Sequence, residues 1–480
     1  MVDAGLLHGV MAGLVTGSYI ALGAIGLGLV YNISKVPNFA HGELLMLGAY
    51  FALLVNLPWD DLPIFDRLAR ENGDPTTIAL LVVLFAITFA CTLLILYLLG
   101  GKKALKGRWW PIDVHPTIAL VTHIVAAAGL GLAVAFSTPN LFGGLILATV
   151  MLAALTPLLD KVIFERFRAA GATLATMLIV TMGLAFFLRF TAQAYFTGST
   201  RSYEITGNVT IFGTEINFTA FKEFDFFITD DGLTFHVFDT ARDVRDTVLV
   251  TSYDWISLIV IILGVSIITV GAYWWRARGI GEYEAAQTIG PRIVGGLAGL
   301  ASLIVLGILL GSSGSIPEDF ITGTQIRTSF LRIGILGLAA VLMFALHTLL
   351  RETKLGKAMR ASSDNLDLAE VTGIDTNRVM MSTWIIAGAF AAVAGVTVGL
   401  LFHSIRPTMG FFLLLPMFAA VILGGLRSIY GAILGSYVVG IAMEVGLLQF
   451  GLDGVHRVTI AFIVLIIVLL VKPEGLIGGR

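Results

Sequence analysis

Three side chains able to bind a ligand or carry a proton interrupt an apolar N-terminal stretch. They are Asn38, His41 and Glu43, in the run Val36-Pro37-Asn38-Phe39-Ala40-His41-Gly42-Glu43. Residues 6–31 before the run and 44–57 after it are apolar. An ionisable group at bilayer depth costs about 2.5–3.5 kcal/mol on insertion scales, so it marks a functional position by default. Two readings stay open. Asn38 can cap a helix starting at Phe39, with Glu43 favouring the positive end of its dipole; alternatively the three polar groups line a transport path. Glu444 is a fourth candidate, inside the apolar stretch 429–449. It serves either a hydrogen bond between helices or proton transfer.

Other chemistry is poorly represented. No Gly-x-x-x-x-Gly-Lys-Ser/Thr loop is present; Lys102 and Lys357 each follow a glycine, but the upstream glycine and the hydroxyl residue are missing. The eight histidines show no His-Glu-x-x-His spacing, and Cys91 is the single cysteine. The expectation is a chain that is not an enzyme and holds no metal or cofactor, with energy for transport coming from an ion gradient or a partner. A net charge of −2 carries no sign of a nucleic-acid partner.

The elements that position these residues are membrane helices. The chain is 57% hydrophobic and 13% charged, with a mean hydropathy of +0.91, whereas soluble domains carry about 25% charged residues. Apolar runs predict thirteen spans, near 6–31, 40–57, 77–99, 116–136, 141–159, 173–195, 255–275, 293–310, 330–350, 379–402, 411–424, 429–449 and 456–471. The run 411–424 is short enough to be re-entrant. The fold class is thus an all-α polytopic membrane protein with a small β-rich loop outside the bilayer. Met1-Val2-Asp3-Ala4 lacks the basic start of a cleaved signal peptide, so the first span is expected to remain.

Basic residues set the orientation. Lys102, Lys103, Lys106 and Arg108 form one cluster, and Lys161, Arg166 and Arg168 another. Arg276, Arg278 and Arg292 form a third, and Arg351, Lys354, Lys357, Arg360 and Arg378 a fourth, with Lys472 and Arg480 near the end. With the N-terminus outside, thirteen crossings place every cluster and the C-terminus in the cytoplasm. The expected location is the cell membrane of a prokaryote. The organisation reads as N-terminal membrane helices (1–195), an outer loop (196–254), further helices (255–350), a cytoplasmic loop (351–378) and C-terminal helices (379–480).

Phe224 to Phe238 alternates around Thr229-Asp230-Asp231-Gly232, the pattern of a hairpin, and residues 203–219 can add strands. Asn208 and Asn217 each begin a glycosylation sequon. Gly5, Gly9, Gly13, Gly17 and Ala21 recur every four residues and give the first helix a small-residue packing face. That helix and its broken successor have a counterpart of opposite direction in 379–402, the interruption His403-Ser404-Ile405-Arg406-Pro407, and 411–424. This is the pattern of an inverted repeat, in which binding sites lie near the repeat interface. Residues 351–378 begin helical, reach Ser362-Ser363-Asp364 as a cap, and resume at Asn365 until Gly373. Leu366, Ala369 and Glu370 would share one face of this short helix.

Several runs together resemble the branched-chain amino-acid ABC transporter permeases of the LivH type. They are Gly17-Ser18-Tyr19 with Ala21-Leu22-Gly23-Ala24-Ile25-Gly26, and Asn38-Phe39-Ala40-His41-Gly42-Glu43 with Met46-Leu47-Gly48-Ala49-Tyr50. The others are Leu355-Gly356-Lys357-Ala358-Met359-Arg360-Ala361, Ala369-Glu370-Val371-Thr372-Gly373-Ile374-Asp375, Ala419-Ala420-Val421-Ile422-Leu423-Gly424-Gly425, Gly431-Ala432-Ile433-Leu434-Gly435 and Lys472-Pro473-Glu474-Gly475-Leu476. The resemblance implies an importer built from two permeases (the second of LivM type), two cytoplasmic ATPases that supply ATP hydrolysis, and an extracytoplasmic substrate-binding protein. It implies that residues 364–373 form the coupling helix, with Gly356, Arg360, Asp364, Leu366, Ala369, Glu370 and Gly373 around it. Family members are shorter, with about nine helices, so extra pairs are expected within 77–136 and 255–310. A related machine carrying urea or short amides, and an ion-coupled transporter using His41, Glu43 and Glu444, are the competing functions.

Overall fold

The computed structural model describes residues 4–56, 75–104, 108–109, 112–113, 116–136, 141–203, 206–211, 214–219, 222–228, 231–239, 246–278, 291–313, 326–426, 428–472 and 475–477. Lys106, the turn residues Thr229 and Asp230, Pro473-Glu474 and Arg480 lie outside them. Among the described residues, eight helices are long and apolar enough to cross a membrane, and five shorter apolar ones accompany them. These are the thirteen expected segments, and this is a multi-pass membrane protein.

The chain divides into two compact units, one of Met1–Met11 with Thr219–Lys357, the other of Ala12–Phe218 with Ala358–Arg480. In the first unit, helices α7 (Trp255–Arg278) and α8 (Pro291–Leu310) lie side by side, and α9 spans Phe330–Glu352. Strands β3 (Lys222–Ile228), β4 (Gly232–Asp239), β5 (Asp246–Asp254), β6 (Ser312–Ser313) and β7 (Ile326–Ser329) form one antiparallel sheet in the order β6-β5-β4-β3-β7. The Phe224–Phe238 hairpin is its centre, with Phe224 opposite Val237 and Phe226 opposite Phe235. Side chains alternate along it, so Asp225, Thr234 and His236 are buried on one face. The pair β1 (Thr206–Ile211) and β2 (Thr214–Thr219) forms a separate two-stranded sheet carrying Asn208 and Asn217.

The second unit contains α1 (Ala4–Ser34, shared with the first at its start), α2 (His41–Asn56), α3 (Pro75–Ala104), α4 (Pro116–Phe136), α5 (Leu141–Leu159) and α6 (Leu174–Phe196). It continues with α10 (Lys354–Asp364, shared at its start), α11 (Leu366–Val371), α12 (Thr376–Phe402), α13 (Met409–Gly424), α14 (Ile429–Phe450) and α15 (Arg457–Val471). Helix α12 is buried along most of its length. Thr156 of α5 donates to the Trp384 carbonyl at 2.7 Å, and Ala387 lies beside Gly26 of α1.

On the small-residue face of α1, a Cβ on Gly13 would stand 2.5 Å from Ile441 Cα, and one on Gly17 2.9 Å from Tyr437 Cα. With no hydrophobic force between helices in lipid, backbone approach of this kind supplies the packing. Gly9 is buried on the same helix.

The two broken-helix elements match residue for residue. Residues 35–40 separate α1 from α2, and 403–408 separate α12 from α13, six residues in each case. Each break opens with a non-glycine residue in the left-handed region, Lys35 at φ 56° and His403 at φ 48°. Each closes with the same hydrogen bond, His41 N to Asn38 O at 3.2 Å and Met409 N to Arg406 O at 3.0 Å. The second residue of each following helix is a glycine, and these two glycines meet. A Cβ on Gly42 would press on Gly410 O, and one on Gly410 on Gly42 O. A contact that is its own reciprocal is what a two-fold relation produces.

Candidate functional site

Glu43 follows Gly42 and is 1% exposed. Its Oε1 accepts from Nε of Arg189 at 3.1 Å and from a second guanidinium nitrogen of the same residue. Arg189 comes from the second half of α6, an otherwise uncharged helix, and its side chain is 15% exposed. Its guanidinium carbon also stands 5.1 Å from the Phe411 ring centre and 5.7 Å from that of Phe186. One turn pair further along, Tyr50 stacks on Phe196 at 4.5 Å. The steps from 43 to 50 and from 189 to 196 are equal, so α2 and α6 run in the same direction. Glu43 Oε2 and the Tyr50 hydroxyl have no hydrogen-bond partner among the described residues.

A second charge pair lies on the other side of the α12–α13 corner. Glu444 is 8% exposed and accepts from Arg457 Nε at 2.8 Å and a further guanidinium nitrogen at 3.2 Å. Thr16 of α1 donates to the same carboxylate at 2.9 Å. Arg457 stands 5.7 Å from the Phe402 ring centre. Removing one member of a buried pair leaves an uncompensated charge, at a cost of about 3–5 kcal/mol. Glu43 and Glu444 are thus each anchored by an arginine of their own. Neither arginine was among the sequence candidates; the signal for Arg189 was a lone cation within a predicted span.

The remaining path candidates are structural neighbours of the first pair. Asn38 does not cap a helix starting at Phe39. Its Oδ1 accepts from Ala40 N at 3.1 Å, and the helix starts two residues later, at His41, because the turn at 38–41 is closed first. His41 Nε2 donates to the Gly23 carbonyl at 2.9 Å. Asn38 and His41 thus meet α1 and the break, while Glu43 alone reaches an opposite charge. Midway along α2, Tyr203 donates to the Ala49 carbonyl at 2.8 Å. Burial pushes this phenol well above its usual range, so it remains a donor. Among the described residues, no three His, Cys, Asp or Glu side chains are grouped as a metal site requires.

The 351–378 segment folds as two short helices, with one change in capping. Asn365, not Ser362-Ser363-Asp364, is the N-cap of α11: its side chain accepts from Leu368 N at 3.0 Å. Ser362 is buried and Asp364 is the last residue of α10. Gly373 follows at φ +89° and stops the element. Ala369 is 3% exposed, packed against its own chain, so the face shared with Leu366 and Glu370 is not a uniform docking face. The apolar groups left most open are Leu368, 60% exposed, and Val371, 85% exposed, with Leu366 at 37%. Gly356 N donates to Thr353 Oγ1 at 3.0 Å, and Arg360 is exposed. Lys35, the first residue of the break, donates to the Ser363 carbonyl at 2.9 Å, so the break and this segment touch.

A family model described as the branched-chain amino acid transport system permease component matches residues 9–105 and 246–470, more than half of the chain. The chain belongs to this family. The matched blocks carry α1, α2, Glu43, α11 and both glycines of the junction; α6 with Arg189 lies between them. Among curated relatives, the high-affinity branched-chain amino acid transport system permease protein BraD of Pseudomonas aeruginosa is 34% identical over 34% of this chain and 54% of its own length. The permease protein LivH of the same named system in Escherichia coli K12 is 38% identical over 28% of this chain and 44% of its own. The probable branched-chain amino acid transport permease protein LivH of Methanocaldococcus jannaschii is 35% identical over 37% and 61%. The chain thus spans about half the length of the curated relatives it matches. No solved structure matches it.

Proposed function

We propose that this chain is the membrane permease subunit of an ATP-driven importer for branched-chain or other neutral amino acids. Residues 365–373 are its coupling helix. The observation that carries this reading is α11: a short capped helix, closed by a left-handed glycine, presenting Leu368 and Val371 to solvent. Exposed apolar side chains on so short an element are what a groove in a soluble partner takes up. Family membership supports the same assignment. The partners are two cytoplasmic ATPases, a second permease of LivM type and an extracytoplasmic binding protein. ATP acts through the ATPases, since this sequence has no phosphate loop. Within this reading the pairs α3/α4 and α7/α8 are the additions to a nine-helix core, and Asn208 and Asn217 lie on the outer side.

In vesicles carrying the assembled transporter, uptake should follow internal ATP and external binding protein. Concentration of substrate by this chain alone on a proton or sodium gradient would replace the reading by ion-coupled transport. Orientation is tested separately, with Cys91→Ala as background. Cysteines placed at Ser199 and Asp367, both exposed, should react with an impermeant thiol reagent in intact cells and only after permeabilisation, respectively. The reverse pattern would put α11 on the wrong side for an ATPase.

A further inference from the structure

The third residues of α2 and α13 are Glu43 and Phe411, equivalent positions in the two broken-helix elements. Both engage one side chain that belongs to neither element. Arg189 of α6 is hydrogen-bonded to Glu43 and lies over the Phe411 ring at 5.1 Å. Between these contacts sits the Gly42–Gly410 junction, where the two backbones are in direct contact. A guanidinium can serve both at once, because its edge carries the donors and its face is flat. A lysine could keep the ion pair but not the second contact in the same form.

We propose that Arg189 is a positioning residue for transport. It holds the N-terminal ends of α2 and α13 in one relative placement, through charge on one side and ring stacking on the other. The repeat has therefore diverged at its third position into an anion and an aromatic ring that a single cation reads together. The corner at 403–408 is fixed at its other end as well, by the exchange of hydrogen bonds between Ile405 and Arg201 at 2.7 and 3.0 Å. What remains to be set at the α13 end is the Phe411 side, which Arg189 meets. The transport part of the proposal rests on the permease reading above; the structural part does not.

The test uses the full chain in lipid nanodiscs and the assembled transporter, with Arg189→Lys, Phe411→Leu and the double variant. Amide hydrogen exchange is followed in peptides covering 35–45 and 403–413, with α5 and α14 as internal references. A cation–π contact between the exposed and the fully desolvated case, as at the partly exposed Arg189, is worth about a tenfold change in such an equilibrium. Each single variant should speed exchange about tenfold in both segments, and the double variant no more than the larger single one. Maximal uptake should fall at unchanged half-saturation and unchanged amount of protein in the membrane. An even rise through α5 and α14 would mean general loosening. A rise in one segment only, or additive effects, would mean that Arg189 merely neutralises Glu43. Either result overturns the proposal. If Arg189→Lys does not fold, Phe411→Leu decides alone, since it leaves the ion pair intact. Absence of uptake in the unsubstituted transporter would count against the permease reading, while the exchange result would stand on its own.

Discussion

Gly42→Leu is expected to leave no folded transporter in the membrane. A side chain there meets backbone, not a movable neighbour: a Cβ would stand 2.9 Å from the Gly410 carbonyl carbon and 2.9 Å from Leu414 Cβ, with Gly410 O closer still. Overpacking a well-filled interior costs about 1–3 kcal/mol when side chains can yield, and here two helices would have to separate. Separation would also part Arg189, paired with Glu43, from the Phe411 ring that it lies over. Gly410→Leu should fail in the same way, from the other side. Both are checked by the amount of monodisperse protein recovered and by its thermal midpoint. A variant recovered in normal amount with an unchanged midpoint would show that the junction is not close-packed in the membrane.

The double change Leu368→Glu with Val371→Glu should produce the opposite failure, a folded chain that does not transport. Both side chains are exposed, so their replacement disturbs no packing within the chain, and surface changes of this kind stay within about 0.5 kcal/mol. Two carboxylates forced into an apolar groove must either be desolvated or keep the partner out, and each costs more than the contact gains. Uptake should fall to background and the ATPase subunits should no longer co-purify, while the thermal midpoint holds. Normal co-purification with normal uptake would remove α11 from the coupling role. Ala369→Trp is less informative, because Ala369 is buried against its own chain and a ring there disturbs folding first. Gly373→Val probes the same element through the backbone: at φ +89° a β-branched residue is strained although the space around it is open.

The membrane helices were legible because each is a continuous apolar run whose length the bilayer sets. The run at 116–136 was bounded at the same residues as its helix, which Pro116 opens, whereas the helix begun at Leu141 runs on past 159 through a π-helical turn, Asp160–Phe164, to Ala169. The hairpin was legible from its alternation, and the small-residue face of α1 from its four-residue period. Side-chain partners were not. Glu43 and Arg189 lie 146 positions apart, and no local pattern ties a cation in one span to an anion in another. Period also could not say which side of α11 turns inward, because a six-residue helix is too short for a stripe. Asn365 competed with three neighbouring polar residues as a cap, and only the geometry separates them.

The head-to-head meeting of Gly42 and Gly410 has a bearing on descent. Such a contact forms without any tuning between two copies of one small protein, since each copy offers the other the same glycine. An ancestral half-length chain of broken helix plus partner helix could have inserted in both orientations and paired with itself. Fusion would then have freed position 43 and position 411 to take different residues while position 42 and position 410 stayed bound to each other. Enlargement at either glycine would have to be answered across the junction, and with both already at the smallest residue no answer is available. Substitutions in relatives should therefore be scarce at these two places.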